Sequence, residues 1–135
     1  MPVLLDTGVL YALADRRDSW HLRVLAYFGE AEESLLVPVT VIPEVSCLLH
    51  TRLGPAAEQA FVRSLAAREL DVEMLRDQDV ARTAAILERY PDIGFVDASV
   101  VAMAERLKVA RIATTDRRHF GRVKPRHIDA FELLP

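Results

Sequence analysis

Four carboxylates stand where side chains can do chemistry. Asp6 follows the apolar run Val3-Leu4-Leu5, and Asp116 follows Arg111-Ile112-Ala113-Thr114. Glu44 falls one turn into the helix expected after Leu35-Leu36-Val37-Pro38, and Asp97 opens a helical stretch. Singly, each has a structural explanation, since helix starts and turns attract acids as caps and dipole partners. Together they repel one another unless a cation intervenes, and an all-oxygen donor set suits Mg²⁺ or Mn²⁺. Such a site positions a water and neutralises the charge developing on a phosphodiester. Arg117, Arg118 and His119, next to Asp116, would then hold the surrounding phosphates.

The elements that must position these residues alternate along the chain. Val3–Leu5 reads as a buried strand, followed by a short helix over Val9–Ala14 and a longer one to about Glu32, with Asp18 and Ser19 offering N-cap oxygens. Leu35–Pro38 is a second strand. Thr40 is placed to cap the next helix, with Pro43 and Glu44 in its first turn and Gly54-Pro55 at its end. A helix from Pro55 to about Glu69, a strand over Val72–Leu75 and a helix from Asp79 to Tyr90 follow. Gly94-Phe95-Val96 is a link, Asp97–Lys108 a helix, Arg111–Thr114 a fourth strand, Thr115-Asp116 a loop, and the segment around Ala130–Leu133 a fifth strand. Strands separated by helices predict a single three-layer α/β/α domain over residues 1–135, with a mainly parallel sheet of four or five strands. In such sheets ligands bind beyond the carboxyl ends of the strands, the edge where Asp6 and Asp116 fall.

With 51% hydrophobic and 27% charged residues, the chain is expected to be globular. Its longest uncharged run, Ser34–Pro43, is about half of the roughly 20 residues needed to span a bilayer. Without a basic leader at MPVLLD, and with a single cysteine, the expectation is a cytoplasmic protein whose Cys47 is a buried thiol. The net charge of −3 argues superficially against a nucleic-acid partner. Yet Arg106–His127 holds eight basic residues and one acid, against nine and 19 elsewhere, a cationic segment on an acidic body.

Four segments in order resemble the PIN-domain ribonucleases, especially the VapC-type toxins of prokaryotic toxin–antitoxin pairs. They are Val3–Leu10 (VLLDTGVL), Val41–Val45 (VIPEV), Phe95–Leu107 (FVDASVVAMAERL) and Ile112–Phe120 (IATTDRRHF). The likeness spans nearly the whole chain. It implies a PIN-like fold and places Asp6, Glu44, Asp97 and Asp116 on an acidic catalytic quartet that holds one or two Mg²⁺ or Mn²⁺ ions and hydrolyses RNA. Asp6, Asp97 and Asp116 are then the direct metal ligands, with Glu44 acting through a bound water or holding a second ion. Thr115 falls on the family's hydroxyl position, so Thr115, Arg117, Arg118 and His119 are the expected RNA contacts. Gly8 departs from the family, where Asn or Ser is frequent.

The resemblance further implies a VapB-like antitoxin lying in a groove lined by Leu10, Leu13, Trp20, Leu22 and Leu25, and a homodimer. His21 and His50 read as structural or surface residues, and His127 as a lesser candidate for RNA contact. Asp92 has a lesser claim on the site, and Asp79 reads as a cap. Two other readings stand beside the nuclease. One is a catalytically silent PIN-like module binding RNA or protein. The other is an Asp-dependent phosphatase, against which Gly8 stands where a second acid would be needed.

Overall fold

Val3, Leu4 and Leu5 have no exposed surface because β1 (Val3–Leu5) is the middle strand of the sheet. The computed structural model describes residues 1–135 and arranges five strands in the order β3-β2-β1-β4-β5, every neighbouring pair parallel. The other strands are β2 (Leu35–Pro38), β3 (Asp71–Glu73), β4 (Arg111–Ala113) and β5 (Glu132–Leu134). In register, Leu4 lies between Leu36 and Ile112. Parallel neighbours require crossovers, and helices supply them.

Helices α1 (Thr7–Ala14) and α2 (His21–Glu30) connect β1 to β2, and α3 (Ile42–Leu53) and α4 (Pro55–Ala66) connect β2 to β3. The chain then returns across the sheet through α5 (Asp77–Arg89) and α6 (Phe95–Leu107) before β4, and α7 (Arg117–Arg122) precedes β5. Contacts join α1 to α2 and α3, and α3 to α4, while α6 contacts both α5 and α7, so two helical layers enclose the sheet. The expected three-layer domain is observed. Right-handed crossovers put the two groups on opposite faces, because the direction of travel reverses after β3. None of the helices is long and apolar enough to cross a membrane.

The core helix is α6, whose residues Ala98 to Glu105 are all buried. Two guanidinium–carboxylate pairs bind it to α5. Arg106 Nε lies 2.9 Å from Asp79 Oδ1, and Arg82 donates to both oxygens of Glu105 at 2.6 and 3.1 Å.

Several boundaries differ from the sequence expectation, each for a physical reason. Helix α1 begins at Thr7 rather than Val9. Thr40 caps nothing: a 3₁₀ turn over Val39–Val41 comes first, and the Thr40 hydroxyl meets Ser99 Oγ at 2.7 Å. Ser99 already donates to the Val96 carbonyl, so Thr40 is the donor, and the bond ties the start of α3 to α6. Asp18 accepts from the Trp20 N–H, ahead of a helix that starts only at His21 and stops at Glu30. Helix α5 starts at Asp77, two residues early, and Asp79 in its first turn accepts the Arg76 N–H while it pairs with Arg106. Cys47 is exposed, because Val45 and Leu49 define the buried side of α3 and a residue two positions from each points away.

Candidate active site

The strand order reverses between β1 and β4, since the chain leaves β1 toward β2 and returns to β4 on the other side. Ligand sites of open parallel sheets lie at this switch point, beyond the strands' carboxyl ends. Asp6 directly follows β1, and Thr114, Thr115 and Asp116 follow β4. Glu44 is in the first turn of α3, and Asp97 is the third residue of α6, whose N-cap is Gly94. Asp97 therefore does not cap its helix, and its carboxylate is left for the pocket.

Asp6, Glu44, Asp97, Thr115, Asp116 and His119 line one open cavity of ≈ 390 Å³. All four predicted acids are thus brought together. The tightest group within it is Asp97, Asp116 and His119, whose ligand atoms lie within 4.8 Å of one another. Asp6 is 4% exposed. Its Oδ2 accepts the Thr114 hydroxyl at 2.9 Å, and Thr114 Oγ1 accepts the Asp116 N–H at 2.8 Å, so one buried threonine connects the acids of two adjacent strands. Asp6 Oδ1 is buried and has no hydrogen-bond partner.

Burial first, then the neighbouring charges of Asp97 and Glu44, pushes Asp6 up to about 7 against the opposing bonds from the Thr7 N–H and the Thr114 hydroxyl. Asp97 is raised as well, by burial and by Asp116, with His119 pulling the other way. Crowded carboxylates with one orphaned oxygen make a site short of positive charge. That donor set fits a divalent cation, whose charge would reverse both shifts.

The predicted phosphate contacts divide. His119 faces the acids, with Nδ1 2.8 Å from Asp116 Oδ2 and 3.2 Å from Asp97 Oδ2. Asp116 Oδ1 accepts the His119 N–H, so Asp116 also caps α7, a helix that the sequence pattern did not predict. Arg118 is exposed on that helix. Arg117 turns toward the terminal Pro135 oxygen, and its guanidinium lies 5.7 Å from the centre of the Trp20 ring, which Arg23 also flanks at 4.2 Å. Thr115 lies against Gly8: a Cβ built on Gly8 would be 2.0 Å from Thr115 Oγ1, so the hydroxyl fills the space left by the missing side chain.

The cationic segment is not one surface. Arg106 is buried against Asp79 and Glu73, Arg111 pairs with Glu33 and Glu132, and Arg122 with Asp92. Lys108 ends α6 and Arg111 starts β4, at the sheet edge opposite the acids. His127 is committed to the Val109 carbonyl at that far edge, not to the pocket. His21 Nδ1 bonds the Ala12 carbonyl and His50 pairs with Glu58, the structural roles expected of them. Thr114 was missed as a site residue, although a hydroxyl closing an apolar strand next to an Asp-bearing strand was a visible signal. A wider cavity of ≈ 700 Å³ beside Arg16, Arg17 and Arg52 has no free carboxylate pair, because Asp15 is engaged by Tyr11 and Arg17 and Asp18 by Trp20.

The PIN-domain family model matches residues 3–124. Ribonuclease VapC26 of Mycobacterium tuberculosis is 31% identical over 135 residues, which cover 98% of this chain and 100% of the relative. The chain belongs to the PIN-domain family, among its VapC-type ribonucleases. Solved structures share the PIN-domain fold at lower identity. Mycobacterium tuberculosis VapC20, a sarcin–ricin loop cleaving toxin, superimposes with a TM-score of 0.81 at 19% identity, covering 86% of this chain and 91% of that one. VapBC2 of Rickettsia felis, bound to a promoter DNA fragment, gives 0.73 at 14% identity over 100% of both chains.

Proposed function

We propose that this PIN domain is an Mg²⁺- or Mn²⁺-dependent endoribonuclease, the toxin of a type II toxin–antitoxin pair. The observation that carries the reading is the convergence of Asp6, Glu44, Asp97 and Asp116 in one cavity at the switch point, with a buried Asp6 oxygen that lacks any partner. A silent binding module would have no use for so costly a group. Asp97 and Asp116, with Asp6, would hold the cation, and Glu44, exposed at the cavity rim, would reach it through water. When bound, the cation supplies charge neutralisation at the phosphodiester and a water made acidic enough to attack near neutral pH. Thr114 fixes the Asp6 carboxylate by its Oδ2, which leaves Oδ1 as the oxygen directed at the reaction. The Thr40–Ser99 bond holds the Glu44 helix to the Asp97 helix, so the rim and floor of the cavity keep their spacing. Thr115 and Arg118, at the same edge, would contact substrate phosphates.

The antitoxin site we assign to the apolar cavity of ≈ 340 Å³ between α1, α3 and α4, lined by Leu10, Leu13, Leu49, Phe61 and Leu70. Only Leu10 and Leu13 of the residues expected from sequence line it; Leu22 and Leu25 are exposed on α2, at 78% and 49%. An amphipathic antitoxin helix fits such a groove. Cleavage of a stem–loop RNA by purified, antitoxin-free protein tests the function. It should require Mn²⁺ or Mg²⁺, stop with a chelator, and be lost in Asp6→Asn. Cleavage that survives chelation or the substitution overturns the proposal.

A further inference from the structure

His119 is the one nitrogen donor facing a pocket of carboxylates. Its Nδ1 is within 2.8 Å of Asp116 Oδ2 and 3.2 Å of Asp97 Oδ2. One ligand atom from each of the three residues lies within 4.8 Å of the others. Donors on opposite sides of an ion with bonds of roughly 2.1 Å are separated by about 4.2 Å, so small side-chain adjustments close all three onto one centre. The backbone fixes the ring's position, because the His119 N–H is bonded to Asp116 Oδ1. Independently, Asp6, which lines the same cavity, carries a buried Oδ1 with no partner.

We infer that His119 Nδ1 is a ligand of the cation shared by Asp97 and Asp116, and that this nitrogen makes the site favour Mn²⁺ over Mg²⁺. The inference rests on the metal-dependent reading above. Magnesium ions take oxygen ligands and surrender water reluctantly, whereas imidazole suits first-row transition ions. Ligation uses the Nδ1 lone pair, which leaves the imidazole proton on Nε2. His119 is then part of the metal shell and not a contact for RNA phosphates.

Two measurements on the full chain test it. Pulsed electron paramagnetic resonance of the wild-type protein with one equivalent of Mn²⁺ should show ¹⁴N coupling from a directly bound imidazole, absent in His119→Ala. Titration calorimetry should show Mn²⁺ affinity falling about tenfold or more in His119→Ala, with Mg²⁺ affinity changed much less. Bound Mn²⁺ without ¹⁴N coupling in the wild type, or equal losses for both ions in the variant, overturns the His119 assignment while leaving a carboxylate metal site. Mn²⁺ that does not bind, or binds equally well to Asp6→Asn and Asp97→Asn, overturns the metal-dependent reading itself. The wild-type spectrum decides the ligand question even if the variant folds poorly.

Discussion

Asp6 is a residue that the fold holds at a cost. An unfolded chain releases its proton near 3.8 and the folded one near 7. Between those values the native state retains a proton that the unfolded state has lost, so stability falls as pH rises from about 4 to about 7 and stays low above. The difference is worth roughly 4 kcal/mol in the absence of a cation. Thermal melts of metal-free protein should therefore show Asp6→Asn more stable than wild type at pH 8, with the advantage vanishing near pH 4. Mn²⁺ should raise the wild-type melting temperature more than that of the variant. Parallel pH profiles for the two proteins would refute this account. Gly8 makes a second residue-scale prediction. A side chain there collides with Thr115 Oγ1, so Gly8→Ala should cost about 1–3 kcal/mol in urea unfolding, and Thr115→Ala in the same chain should recover most of it. The four acids were legible because each stands next to an element end. The reason for Gly8 was not, because its constraint comes from Thr115, a residue 107 positions away in the loop after β4.

At the scale of elements, the return crossing depends on the clasp between α5 and α6. The Arg106 side chain is 8% exposed and that of Asp79 1%, so removing the guanidinium would strand a buried carboxylate. Arg106→Ala is expected to destabilise by roughly 3–5 kcal/mol, measured as a lowered urea midpoint, whereas Lys124→Ala on the exposed surface should change little. Apolar periodicity displayed most helices and all five strands, because β1, β2 and β4 are short apolar runs between turn signals. It did not display α7, a helix of six mostly basic and polar residues with only Phe120 buried, held by the Asp116 cap. Nor could it place the start of α6. Asp97 is a better cap by type than Gly94, but it lies inside the first turn and lines the cavity. The pairing of Asp79 with Arg106 was equally hidden, since it joins positions on two helices whose packing angle no local pattern records.

The whole molecule rearranges the charge that the sequence displays as a block. The basic run is divided among ion pairs, Arg106 with Asp79 and Glu73, Arg111 with Glu33 and Glu132 and Arg122 with Asp92, which leaves Arg118 exposed on α7. For uncleavable binding of RNA to Asp6→Asn protein, Arg118→Ala should weaken affinity and reduce the salt slope by about one counterion. Lys108→Ala, at the opposite edge, should leave both unchanged in anisotropy titrations at several salt concentrations. The strand order has a consequence for synthesis. The central strand is made first, but its neighbours come from residues 35–38 and 111–113, and the cavity joins Asp6 to Asp116 and His119. A nascent chain thus carries scattered acids and no assembled cavity until residues beyond His119 have been made.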